Sequence, residues 1–77
     1  MPDYAHLQRV PIQSRAIKSL AYDEPLHIME VEYRTGSIYR YYDVPIEIYK
    51  AMFVEHSPGT FLNTFLKRNR VRSKKIG

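Results

Sequence analysis

Apolar and polar positions alternate most cleanly between Leu26 and Tyr33. Met29, Val31 and Tyr33 fall on one face there, and Glu30 and Glu32 on the other. A period of two is the signature of a strand with one buried side. Upstream, Ser14 to Tyr22 reads as another strand, although Ile17 and Leu20 are out of phase and place a bulge between them. Asp23-Glu24-Pro25 supplies the turn, and Ile38 to Tyr42 makes a third strand. The period then changes. Pro45 suits the first turn of a helix, where a missing N–H costs nothing. Ile48, Tyr49, Met52 and Phe53 give that helix an apolar stripe. Ser57 reads as the N-cap and Pro58 as the first residue of a second helix. Phe61, Leu62, Phe65 and Leu66 form its inner stripe, with Asn63, Thr64, Lys67 and Arg68 turned outward. The expected architecture is α+β: a three-stranded antiparallel β-meander followed by two short helices (βββαα) packed on one sheet face. Residues 1–13 read as an N-terminal arm, 14–69 as the domain, and 70–77 as a basic C-terminal tail.

The stretch from Tyr33 to Pro45, YRTGSIYRYYDVP, poses a sharper question. Its tyrosines could stack nucleic-acid bases, or they could line the inner face of a hairpin. A two-residue Thr35-Gly36 loop would set Val31 opposite Arg40 and Glu30 opposite Tyr41, mixing charge with apolar surface on both faces. A three-residue Arg34-Thr35-Gly36 loop puts Gly36 in the left-handed position of a type I turn with a bulge. Val31 then faces Tyr39, Met29 faces Tyr41, Glu30 faces Arg40, and Glu32 faces Ile38. The second register sorts the faces, and a slip of one residue would invert every side chain. It is the register expected. Tyr39 and Tyr41 then belong to the core, while Arg40, Tyr42, Ile28 and Ile38 occupy the open face. Half apolar, that face suits a partner surface or dimer seam.

At 77 residues the chain is one domain, near the size below which burial alone struggles to hold a fold. It has no cysteine, so neither a disulfide nor a thiolate-bound zinc is available. Seven tyrosines and three phenylalanines must supply the packing, or self-association as a homodimer must add to it. No apolar run reaches a membrane span, and Met1-Pro2-Asp3-Tyr4 lacks the layout of a signal peptide. A cytoplasmic protein without membrane attachment is expected.

Several pieces together resemble a known family. They are SRAIKSLAYD (Ser14 to Asp23), MEVEY with Gly36, and YRY (Tyr39 to Tyr41). VPIEIYKAM (Val44 to Met52) and SPGTFLNTFLK (Ser57 to Lys67) follow in order. This succession is similar to the KTSC domain, a small module named for the C-terminus of some lysyl-tRNA synthetases. Arg15 stands where that family usually has a small residue, and Ala21 where glycine is common. The resemblance implies the fold, and implies RNA binding only through the synthetase attachment.

Charge carries the strongest functional signal. Net charge is +4, yet residues 1–55 hold six Lys/Arg against eight Asp/Glu, while residues 56–77 hold six Lys/Arg and no acid. Those six are Lys67, Arg68, Arg70, Arg72, Lys74 and Lys75. Such a cluster suits phosphate binding through counterion release; the alternatives are a solvated tail or an acidic protein or lipid surface. If the second helix ran on to Arg70, Lys67 and Arg70 would share one side, leaving Arg72, Lys74 and Lys75 as a flexible strap. Arg40, Tyr42 and Arg34 could add grip and base stacking. Glu30 and Glu32 read as a solvated strand face rather than an acid–base pair. His6, His27 and His56 lack metal-ligand spacing, and no nucleophile setting or glycine-rich loop occurs. The expectation is a non-enzymatic nucleic-acid-binding protein without metal, cofactor or small-molecule substrate, DNA slightly favoured over RNA. Its rival is a protein-interaction module using Ile28, Ile38 and Tyr42.

Overall fold

A computed structural model of the chain describes residues 7–77. The first part of the expected arm, and His6 with it, lie outside them. The elements run β1 (Val10–Pro11), β2 (Ile17–Asp23), β3 (Ile28–Tyr33), β4 (Ile38–Tyr41), α1 (Ile46–Met52), α2 (Pro58–Arg68) and β5 (Ser73–Lys75). The architecture is α+β, but the antiparallel sheet has five strands rather than three, in the order β1-β2-β3-β4-β5. Both extra strands are edges, one from the expected arm and one from the expected tail. They are too short to carry an alternating pattern of their own.

The central hairpin has the three-residue loop. Met29 pairs with Tyr41, Glu30 with Arg40, Val31 with Tyr39, and Glu32 with Ile38. Gly36 has φ 99°, a conformation open to glycine at little cost. The bulge expected in the first long strand lies between Ile17 and Ser19. Ser57 is the N-cap of α2 with Pro58 in its first turn, whereas Pro45 caps α1 rather than entering it.

Ile17, Leu20, Met29, Val31, Val44, Met52 and Leu62 are fully buried between the sheet and the helices. Ile48, Tyr49, Phe61, Phe65, Leu66 and Val71 pack around them. Tyr41 is buried, and Tyr39 is half-buried, stacked on Tyr41 with ring centroids 6.1 Å apart. The tyrosines of the inner face therefore hold the fold rather than a ligand. Tyr33 and Tyr41 share a hydroxyl–hydroxyl hydrogen bond of 2.7 Å.

Burial, then the hydrogen bond to Tyr33, pushes the Tyr41 phenol well above its ordinary value of 10. Burial also raises Tyr33, Tyr22 and Tyr49. A phenol whose pKa is raised by folding contributes stability fully below its unfolded pKa, and loses it as pH climbs toward the folded value. The urea midpoint of unfolding should therefore decline above about pH 10. Tyr41→Phe should decline less steeply, and an equal slope in the two proteins would exclude Tyr41 as a source of the loss.

Candidate nucleic-acid interface

The C-terminal segment is not a strap. Helix α2 stops at Arg68, with Asn69 as C-cap. Val71 N–H donates to Leu66 O (3.1 Å) and Arg70 N–H to Lys67 O (3.4 Å), the paired bonds of a Schellman ending. Arg70 occupies its left-handed position with φ 48°, where glycine is usual. Lys67 and Arg70 therefore do not continue along one helix face as expected. The reversal returns the chain alongside β4, where Tyr41 pairs with Ser73, Arg40 with Lys74, and Tyr39 with Lys75. Tyr42 N–H adds a bond to Arg72 O (3.0 Å).

This pairing merges two features that are separate along the sequence. Alternation from the Arg40–Lys74 pair puts Arg72 and Lys74 on the sheet face of Arg40 and Tyr42. The Arg72 guanidinium carbon sits 4.6 Å from the Tyr42 ring centroid, a cation–π contact. Lys75, opposite Tyr39, belongs to the other face. Lys67, Arg68, Arg70, Arg72, Lys74 and Lys75 are all exposed. Among the described residues the ion pairs join Arg9 and Arg40 to Glu30, and Lys18 to Glu32. None of the six C-terminal cations is neutralised by a carboxylate of the body within those residues.

The open face departs from expectation at its centre. Glu30 is 2% exposed, not solvated. Its Oε1 accepts from Arg9 Nη2 at 2.7 Å, and its Oε2 from Arg40 Nη2 at 2.9 Å and Nε at 3.2 Å. Burial opposes the charge on Arg40, but hydrogen bonds to Glu30 and Tyr42 and the Glu30 carboxylate leave its pKa raised. Arg40 thus acts chiefly as a clamp on Glu30. Glu32 is half-buried and accepts from Ser19 Oγ at 2.7 Å. Ile28 is buried, not exposed on an open face. Ile38 and Tyr42 are half-buried, so the three do not form an exposed apolar patch.

Arg34 stands apart. It lies in the β3–β4 loop, at the opposite end of β4 from Tyr42, and its Nε donates to Ser14 O at 2.8 Å. Arg9, Asp43 and Asn69 join the picture without any sequence signal. Arg9 is the second clamp on Glu30. Asp43 and Asn69 flank Tyr42 and Arg70 at the corner where β4, α2 and β5 meet. No group of three metal-ligating side chains occurs among the described residues, and no helix there is long and apolar enough to cross a membrane.

The fold and its sequence both have relatives. The sequence model of the KTSC domain matches residues 13–69. An uncharacterized protein of Stutzerimonas stutzeri is 37% identical over 70 residues, which is 91% of this chain and 99% of that one. A protein of Tsukamurella paurometabola is 33% identical over 57 residues, covering 74% of this chain and 85% of its own. The crystal structure of a KTSC domain protein from Yersinia pestis superposes with a TM-score of 0.82 at 30% identity, over 92% of this chain and 99% of that one. The family match ends at Asn69, so β5 and its cations lie beyond it. On the sequence match, which spans most of the chain, and on the shared fold, this chain belongs to the KTSC domain family.

Proposed function

We propose that the chain is a small non-enzymatic nucleic-acid-binding protein that grips phosphates with the basic segment from Lys67 to Lys75. DNA is slightly favoured over RNA, in a regulatory or architectural role. One observation carries the reading: β5 aligns Arg72 and Lys74 beside Tyr42, while the cations of the segment have no carboxylate partner among the described residues. Exposed unpaired cations on a fixed strand present phosphate-spaced charge without the entropy loss of ordering a loose tail. Of the two acids on this face, Glu30 is buried under Arg9 and Arg40, and Glu32 is half-buried and paired with Lys18.

Such contacts orient a strand without reading its bases. The test is a gel shift of the full chain against duplex DNA, single strands and tRNA at two salt levels. Four phosphate contacts predict a loss of about 10²-fold in affinity between ~50 and ~200 mM salt. Binding that ignores salt, or no binding to any of the three, would overturn the proposal. The protein-interaction alternative is weakened at its centre, because Ile28 is covered.

A further inference from the structure

A cleft of about 290 Å³ opens at the corner between the β4–α1 connection, the end of α2 and the entry to β5. That is at the lower bound of pockets that hold small ligands, roughly 300–1,000 Å³, and admits a single ring system rather than a length of strand. Tyr42, Pro45 and Phe65 contribute its flat or apolar walls. Arg72, stacked on the Tyr42 ring, adds a guanidinium plane of the kind on which unpaired bases stack.

The polar lining divides into two signs. Asp43 makes no ion pair or side-chain hydrogen bond with the other described residues, so its carboxylate is an acceptor open to a ligand. Asn69 donates from Nδ2 to Phe65 O at 2.9 Å, which leaves its Oδ1 as a second acceptor. The negative pole of α2 lies at the same end. Against these stand Arg70 and Arg72, both exposed. A phosphate between Asp43 and Asn69 would be repelled by the Asp43 carboxylate, whereas a donor-rich ring edge would be held there and its phosphate drawn to the arginines. The cleft therefore asks for a flat group with two adjacent N–H donors and an anion beyond it.

We propose that this cleft binds one unpaired guanine nucleotide, a deeper reading that rests on the nucleic-acid function above. Guanine alone among the common bases shows N1–H and N2–H₂ side by side, matching the two oxygens of one carboxylate. Adenine, cytosine, uracil and thymine each offer a single donor group beside an acceptor on that edge. A paired guanine has this edge occupied, so the ligand is an unpaired end, bulge or single strand. The same base occurs in DNA and RNA, and the sugar decides between those sources.

The test titrates the full chain with GMP, dGMP, AMP, CMP and UMP, following amide shifts, and titrates a blunt duplex separately. The expected result is shifts at Tyr42, Asp43 and Asn69 with the guanine nucleotides, about tenfold tighter than with the other three. A preference for GMP over dGMP assigns RNA and equal binding admits DNA, and both support the cleft. Asp43 has φ 58°, which asparagine also tolerates, so Asp43→Asn keeps the backbone while replacing one acceptor by a donor. It should abolish the guanine preference without weakening duplex binding, since it removes a negative charge beside Arg70 and Arg72. Equal shifts with all nucleotides, or a preference that survives Asp43→Asn, would overturn the assignment. Duplex binding without nucleotide shifts sinks the cleft and spares the phosphate reading; loss of both sinks the two together.

Discussion

Glu30→Ala should destabilise the protein by about 3–5 kcal/mol, the range for breaking a buried ion pair by removing one partner. A 77-residue domain has on the order of 4–12 kcal/mol in total at ~0.05–0.15 kcal/mol per residue, so the loss is a large share of it. The cost does not come from deleting favourable contacts alone. The Glu30 side chain is 3% exposed and that of Arg40 16%, so removing the carboxylate strands a guanidinium where water reaches it poorly. Arg9 and Arg40 would then face one another across the gap, with Lys74 opposite Arg40 on the far side. Urea unfolding followed by circular dichroism measures the change. Glu30→Met combined with Arg40→Leu should recover much of the loss, since apolar replacement of the buried pair avoids the stranded Arg40 charge and Arg9, 34% exposed, keeps access to water. A shift below about 1 kcal/mol for Glu30→Ala would mean that water already screens this triad.

The triad also explains what was legible in the sequence and what was not. The inner face was readable because Met29, Val31, Tyr39 and Tyr41 repeat at the strand period and only one hairpin loop sorts them. The start of α2 was readable from Ser57-Pro58, and the inner faces of both helices from their apolar stripes. The outer face was not. Glu30 alternates with apolar residues as any solvated acid does, and it is clamped by Arg9, which lies just before a two-residue strand and 21 positions away.

The C-terminal segment shows the same limit from another side. Ser73-Lys74-Lys75 contains no apolar residue and would be read as coil in any window. What recruits it is the α2 ending, where Val71 closes the Schellman bond to Leu66 and packs on the core, turning the chain back beside β4. The usual glycine signal for that turn is absent, because Arg70 stands in the left-handed position. The cations of the proposed function were named from charge alone, and their arrangement comes from backbone chemistry that charge does not announce. Tail and tyrosine looked like two features and are one surface.

Arg70→Gly, Arg72→Thr, Lys74→Thr and Lys75→Thr together should lower affinity for nucleic acid by about 10³-fold at ~0.15 M salt. The figure follows from four phosphate contacts at a slope near 0.9 per contact, and the logarithmic salt slope should fall by about 3.6. Truncation before Arg70 would be a poorer test, since it also removes an edge strand and exposes β4. Threonine keeps strand propensity, and replacing Lys74 relieves a like-charge pair with Arg40, so the fold should persist. Arg70 offers the cleanest single comparison. A left-handed arginine costs roughly 1–2 kcal/mol in backbone strain, partly offset in Arg70→Gly by the greater chain entropy of glycine, so the variant should gain about 0.5–1 kcal/mol. A substitution that stabilises the fold while weakening binding separates the two roles, because lost structure cannot then account for lost affinity. Should Arg70→Gly stabilise the chain and leave both affinity and salt slope untouched, Arg70 would not be a phosphate contact. Should the fourfold variant bind as the parent does, the basic segment would have no part in nucleic-acid recognition.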